Sequence, residues 1–244
     1  MKFSYVKVYS ALLLRFGLEV FDLDKVYSEL GWLGVKTPLN IIMQRLCRKG
    51  YIERVGRGKY RVVHPTILLL ESLGYRWRDR VASEYRPILE YVVSRLIEYF
   101  RERLVSIVLY GSLARGEARD TSDIDLLIIA VDIPGNYSER VEQISRILDD
   151  VSRFRYRLWM EKRIYPLIDI IILDREEAMV NHPLYLDMVY DAIIIYDRDS
   201  FMEKRIEAIR RKLDELGSRR IQLPDGRYYW VLKPDLKWGE VIEL

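Results

Sequence analysis

The chain has 244 residues, half of them hydrophobic and 32% charged, with a net charge of +3; that is enough apolar material for a sizeable core and excludes a disordered low-complexity chain. No apolar run approaches the roughly 18 residues of a membrane span, and the first residues lack the pattern of a signal peptide. One cysteine, Cys47, and two histidines, His64 and His182, exclude an internal disulfide framework and a cysteine-built zinc site. A soluble, cytoplasmic protein with no membrane partner is expected. The charge is uneven: residues 1–65 hold twelve Lys and Arg against five Asp and Glu, a net +7, and the remainder nets −4. Two units with different partners are expected from this split.

In residues 1–65, positions 5–16 read as a helix with Val8, Leu12 and Leu13 apolar, stopped by Gly17. Asp22 is placed to cap a second helix through Leu30. Gly31 and Gly34 break that helix, and Thr37 is placed to cap a third, with Pro38 at its first position, where a missing N–H costs nothing. The third helix runs over 39–49 with Ile42, Leu46 and Cys47 on one side. Residues 51–55 and 60–63 are β-prone runs joined by Gly56-Arg57-Gly58-Lys59, a hairpin signal. Three helices and a basic hairpin resemble a winged helix-turn-helix domain. The resemblance implies that the third helix enters the DNA major groove and that the hairpin, the wing, meets phosphates. Lys36, Asn40, Gln44, Arg45 and Arg48 lie on or near that helix, and Arg54, Arg57, Lys59 and Arg61 on the wing. Arg45, Arg48, Arg57 and Lys59 are the candidate nucleic-acid contacts. Winged helices also serve protein contacts, and both uses stay open.

Residues 66–103 read as a helical connection. Residues 68–73 are apolar, Tyr75-Arg76-Trp77-Arg78 is aromatic and basic, and Ser83 is placed to cap a helix over 84–103 with Ile88, Leu89, Val92, Leu96, Ile97 and Phe100 at helical spacing. No Gly/Ser-rich linker separates the units, so structured helix is expected to join them.

The chemistry concentrates in residues 104–198. Residues 105–110 form an apolar strand ended by Gly111-Ser112, and Leu113-Ala114-Arg115-Gly116-Glu117 starts a helical turn. A second strand, Ser122-Asp123-Ile124-Asp125-Leu126-Leu127-Ile128-Ile129, opens with two carboxylates and becomes wholly apolar. Residues two apart on a strand share a face, so Asp123 and Asp125 stand side by side, an arrangement that is unfavourable until a cation neutralises it. Hard oxygen ligands suit Mg²⁺ or Mn²⁺, with substrate phosphates completing the shell. Gly111 lets a phosphate approach the backbone closely, and Ser112 offers a hydroxyl and an N–H beside it. A metal-binding pair facing a phosphate cradle fits phosphoryl or nucleotidyl transfer.

Gly111-Ser112-Leu113-Ala114-Arg115-Gly116 followed by Ser122-Asp123-Ile124-Asp125-Leu126 resembles the signature of the nucleotidyltransferase superfamily with the DNA polymerase β-like fold, in particular its minimal prokaryotic members. Their pattern is Gly-Ser-x-x-Arg-Gly, a spacer, then Ser-Asp-x-Asp-Leu. That family uses a third carboxylate on a later strand. The best candidate is Asp169, an isolated acid in the apolar run 165–173, where a buried carboxylate would need a cation partner; the other reading is an acid at a strand end facing water. Asp174, the competitor, follows the strand and reads as an N-cap for 175–180. The resemblance implies that Asp123 and Asp125 hold a metal on the triphosphate of an NTP and that Gly111 and Ser112 grip its phosphates. Asp169 would hold a second metal and draw the proton from an acceptor hydroxyl, and pyrophosphate would leave. Arg115 either meets phosphate charge or pairs with Glu117 or Asp120. The acceptor, protein or RNA, is open. So is an alternative in which the chain is a DNA-binding regulator or antitoxin-like protein whose catalytic domain modifies or sequesters a partner protein.

Residues 138–149 read as a helix with Val141, Ile144, Ile147 and Leu148 inward. Residues 153–159 interleave basic and aromatic side chains, either lining an acceptor groove for nucleic acid or forming an ordinary amphipathic segment. A strand over 192–196, a charged helix over 200–216 and a hairpin around Leu223-Pro224-Asp225-Gly226-Arg227-Tyr228-Tyr229-Trp230 follow, the last two within a C-terminal extension, 199–244, that ends on an aromatic segment with Trp238, Gly239 and Glu240. The expected fold class is α+β: a winged helix-turn-helix followed by a nucleotidyltransferase-like mixed β-sheet with flanking helices.

Overall fold

In the computed structural model, which describes residues 3–224 and 227–237, the chain divides into two compact units, Met1–Gly74 and Tyr75–Leu244. The protein is α+β. No helix among the described residues is long and apolar enough to cross a membrane.

The first unit contains α1 (Phe3–Phe16), β1 (Phe21–Asp22), α2 (Leu23–Leu30), α3 (Leu39–Arg48), β2 (Ile52–Gly56), β3 (Lys59–Val62) and α4 (Pro65–Ser72). Its three strands form an antiparallel sheet in the order β1-β3-β2. The core is made where the apolar stripes of the helices meet: Val8 and Leu12 of α1, Val26 and Leu30 of α2, and Ile42, Met43 and Leu46 of α3, closed by Phe21, Ile52 and Val62 from the sheet. The spacing i, i+3, i+4, i+7 of Leu39, Ile42, Met43 and Leu46 puts one face of α3 inside. Asn40, Gln44, Arg45 and Arg48 are left exposed on the other. Pro38 occupies the cap position of α3 rather than its first turn, so Thr37 lies outside the helix. On the hairpin, Arg57 and Lys59 are exposed, but Arg61 is buried and paired with Glu53 across the β2–β3 ladder. Arg61 is therefore corrected from a wing contact to a structural cation: its position in β3 points it inward.

The second unit is built on a four-stranded mixed sheet. Its elements are α5 (Arg86–Phe100), β4 (Leu104–Tyr110), α6 (Gly111–Arg115), β5 (Ile124–Ala130), α7 (Tyr137–Ile147), α8 (Val151–Lys162), β6 (Ile168–Leu173), α9 (Leu184–Asp191), β7 (Ile193–Asp197), α10 (Phe201–Glu215) and a terminal hairpin of β8 (Arg219–Gln222) and β9 (Tyr228–Val231). The strand order is β6-β5-β4-β7; β5 and β6 run parallel, and β4 is antiparallel to both β5 and β7. β4 and the apolar part of β5 are buried on both faces, which explains their continuous apolar runs. One face packs Val105, Val108, Leu127 and Ile129 against Met188 and Val189 of α9 and Met202, Ile206 and Ile209 of α10. Leu126 and Ile128 alternate to the opposite face, where α5 meets β4 and Tyr91 of α5 stacks on Phe154 of α8 at 4.4 Å.

Two local expectations are corrected. Helix α5 starts at Arg86 rather than after Ser83, because Pro87 belongs in a first helical turn, and it ends at Phe100 because Arg101 turns to a φ of 49°. Helix α7 is capped by the Asn136 side chain and buries Ile147, with Leu148 at its end, as expected, but departs at Val141. Val141 is exposed and Arg140 is buried instead, since its guanidinium donates to both carboxylate oxygens of Glu177, at 2.7 and 3.0 Å, and to the carbonyl of Ile172 at 3.1 Å. The segment 153–159 lies within α8, with Phe154 and Leu158 buried. Of the expected C-terminal hairpin, Asp225 and Gly226 lie outside the described residues, as do Trp238, Gly239 and Glu240.

Because Ile128 is fully buried in a central strand, Ile128→Ala should destabilise the second unit by about 2–5 kcal/mol. Met160→Ala, at a side chain 56% exposed, should stay within about 0.5 kcal/mol. Urea unfolding of the two variants checks both.

Candidate active site

The alternation that buries Leu127 and Ile129 against α9 and α10 carries Asp125 to the same side of the sheet, at the open end of β5. β5 begins at Ile124, so Asp123 precedes the strand. The Asp123 Oδ1 accepts the N–H of Leu167 at 3.2 Å, while the Ile124 N–H donates to the Leu167 carbonyl at 2.8 Å. Those two bonds tie the entries of β5 and β6 together. The parallel register then sets Asp125 directly beside Asp169 and Tyr110 of β4 on its other flank.

Asp169 is exposed, which corrects the expectation of a buried carboxylate. β6 is an edge strand and Asp169 is only its second residue, so no layer covers it. Asp125 is half-buried. Its carboxyl is pushed up to about 6, first by burial and then by the negative charges of Asp169 and Asp123. The Tyr110 hydroxyl is raised as well, by burial and by Asp125, Asp169 and Asp187. The carboxylates thus share one electrostatic neighbourhood.

Gly111, with φ of 71°, connects β4 to α6. A Cβ there would lie 1.9 Å from Oδ2 of Asp125, so only glycine fits on both conformational and steric grounds. Ser112 and Arg115 follow on α6, both half-buried. The Arg115 Nε pairs with Glu117 at 2.8 Å. Ser122 accepts the Arg119 N–H on its hydroxyl at 2.8 Å, which shapes the turn into β5. Asp174 caps the turn after β6: its carboxylate accepts the Glu177 N–H at 2.8 Å and Glu177 accepts the Asp174 N–H at 2.9 Å. His182 contacts the carbonyl of Glu177 at 3.0 Å, and His64 accepts the Thr66 N–H at 3.2 Å as the cap of α4.

Asp123, Asp125 and Asp169 carry the hard oxygen donors that a divalent cation takes, and the charged form of Asp125 is destabilised by burial and then by the other two. Among the described residues no group of three or more His, Cys, Asp or Glu is placed to hold a metal ion. A Mg²⁺-type ion is ordinarily held by one or two carboxylates with phosphate oxygens supplying the rest, so the donor chemistry fits and the substrate would complete the shell. Sequence reasoning missed Asp187. It lies on α9, where nothing in its local pattern separates it from a solvated helix acid, and its charge reaches Asp125, Tyr110 and Arg115.

Asp125 beside Asp169 at the strand ends, with Gly111 packed on the Asp125 carboxylate, is where the motif residues come together. The family model for the nucleotidyltransferase domain matches residues 93–178. A Methanocaldococcus jannaschii protein, whose provisional name is protein adenylyltransferase, is 32% identical over 124 residues, which span 50% of this chain and 79% of that protein. The chain belongs to the nucleotidyltransferase family and is an NTP-dependent nucleotidyltransferase. Two solved structures are also similar. One, described as a toxin–antitoxin with AMP-PNP, is 18% identical, with a TM-score of 0.30 over 52% of this chain and 90% of that one. The other, a Sulfolobus solfataricus protein provisionally named a nucleotidyltransferase, is 23% identical, with a TM-score of 0.25 over 56% and 91%.

The raised Asp125 carboxyl has a signed consequence. Its folded pKa of about 6 lies above the ordinary 3.8, so its contribution to stability is fully present below about pH 4 and is lost as pH rises through 6. Discounted for solvent access, the difference is about 1–2 kcal/mol. Asp125→Asn should therefore melt higher than the wild type at pH 7 without added metal, with the gap closing by pH 4.5. Calorimetric melts across that range check it.

Proposed function

We propose that the second unit transfers a nucleoside monophosphate from an NTP to a hydroxyl of a protein acceptor, with Mg²⁺ or Mn²⁺ held by Asp123, Asp125 and Asp169. The observation that carries this is the register of Asp125 beside Asp169, with Gly111 packed so closely on Asp125 that no side chain fits there. The bound cation would neutralise the carboxylates and screen the triphosphate. Gly111 and Ser112 then receive the phosphates through the backbone and the Ser112 hydroxyl, and Arg115 adds a cation on the same side. Asp169 faces open solvent, where an acceptor hydroxyl arrives, and it takes the proton as that oxygen attacks the α-phosphorus and pyrophosphate leaves. The name of the Methanocaldococcus jannaschii relative supports a protein acceptor over RNA.

This division of labour separates binding from transfer. Asp169→Asn should keep most affinity for Mg²⁺–NTP yet lose transfer by about 10²–10⁴-fold, the span of a lost general base. Exposed Asp169 makes a folding defect no part of the expectation. Calorimetric nucleotide titration beside a transfer assay with each labelled NTP and a cell lysate distinguishes the outcomes; unimpaired transfer by Asp169→Asn would overturn the assignment. The identity of the labelled macromolecule tests the protein acceptor.

For the first unit we propose a winged helix-turn-helix that binds DNA. The supporting observation is that α3 buries one stripe and leaves Asn40, Gln44, Arg45 and Arg48 exposed, while Arg57 and Lys59 stand exposed on the hairpin. Arg57→Ala with Lys59→Ala should weaken binding similarly across sequences and lower the slope of log affinity against log salt by about two, one per lost phosphate contact. Titrations of labelled duplex at several salt concentrations measure this; an unchanged slope would remove the wing from the interface.

A further inference from the structure

The match to the family model ends at residue 178, yet the terminal hairpin beyond it reaches the site. Tyr228, the first residue of β9, donates its hydroxyl hydrogen bond to Oδ1 of Asp187 on α9. The guanidinium carbon of Arg115 lies over the Tyr228 ring, 5.6 Å from its centroid. Arg220 of β8 also lies over that ring, at 4.9 Å. The hairpin is fixed to α9 by two further contacts. Arg220 pairs with Asp191, four residues on from Asp187, and Trp230 stacks on Tyr190 with centroids 5.8 Å apart and planes 10° apart. Tyr228 is thus held where both its ring and its hydroxyl meet charged groups.

Asp187 is the group this arrangement restrains. It is close enough for its charge to act on Arg115 and on Asp125. Among the described residues, however, the ion pair of Arg115 is with Glu117, and Asp187 instead accepts from Tyr228. A second carboxylate closing on Arg115 would surround that cation with acids and leave less of its charge for an incoming anion. The ring of Tyr228 offers Arg115 a seat by cation–π attraction without consuming its charge. We infer that Tyr228 is a positioning residue of the nucleotide site: its hydroxyl holds Asp187 and its ring carries Arg115, which keeps the Arg115 guanidinium available to the triphosphate. The inference rests on the reading of Arg115 as a phosphate contact and deepens it, since it makes the C-terminal hairpin part of triphosphate recognition.

The test is a double-mutant cycle on the full chain, read by calorimetric titration with Mg²⁺–ATP and, in parallel, by KM and kcat for transfer. Tyr228→Phe keeps the ring and deletes the hydroxyl. It should raise Kd and KM about tenfold, within the span of a hydrogen bond to a charged group, with kcat little changed. Adding Asp187→Asn to Tyr228→Phe should restore Kd to within about twofold of the wild type, whereas Asp187→Asn alone should shift it far less; that non-additivity is the signature of coupling. A structural role for the hairpin would not be rescued by Asp187→Asn. An unchanged Kd in Tyr228→Phe, or an equal effect of Asp187→Asn in both backgrounds, overturns the inference while leaving the transferase reading intact. A wild type that binds no NTP, or an Arg115→Ala variant that binds it as tightly as the wild type, removes the phosphate role of Arg115 and the inference with it. These last outcomes are read without Tyr228→Phe, so the two failures are distinguishable.

Discussion

Asp125 sits between Asp169 and Tyr110 in the register of the sheet, with Gly111 pressed against its carboxylate. Like charges side by side at a half-buried position oppose folding. The arrangement persists because the apolar remainder of β5, with Leu126, Leu127, Ile128 and Ile129 fully buried, fixes the strand from behind. Burial of those four side chains outweighs the local repulsion, so the strain is confined to the end of the strand that carries the carboxylates. Stability and electrostatic strain thus belong to opposite ends of one element.

Around that site the polar residues divide into two groups by what they touch. Ser122, Asp174 and His182 are occupied by backbone groups of turns and caps. Arg140 is buried on Glu177 and on the carbonyl of Ile172, which locks α7 to the end of β6. These contacts hold the strands in register without reaching the carboxylates. Asp123 does both: one of its oxygens accepts the Leu167 N–H and fixes the entry to β6, while its charge acts on Asp125. The same sorting appears in the first unit. Arg61 faces inward to Glu53, while Arg57 and Lys59, on either side of the hairpin tip, remain exposed.

The nucleotidyltransferase motif was legible because its chemistry is local. Gly111-Ser112 and Asp123-x-Asp125 lie at the ends of neighbouring strands, and period-two alternation states which side chains share a face. The apolar stripes of α1, α2 and α3 were legible for a similar reason, since helical period alone places Leu12, Leu30 and Ile42 inside. Asp169 could be picked out as an acid in an apolar run. Its exposure could not, because that depends on β6 being the sheet's edge. On α7 the burial of Ile147 and Leu148 was legible, but that of Arg140 in place of Val141 was not, because it depends on an ion pair with a residue 37 positions away.

Period and motif spacing therefore determined the two strands that carry the motif and its two paired aspartates, and the resemblances drawn from those motifs gave the α+β class, while β1 and α9 were not legible. Tertiary structure alone decided the rest. It set Asp169 beside Asp125 through strand pairing across 44 residues. It brought Asp187 to the carboxylates, and it delivered Tyr228 to Asp187 across 41 residues. A side chain's charge and hydrogen-bonding capacity are written in the sequence, but the group that meets them is fixed only when the sheet closes and α9 and the hairpin pack beside it.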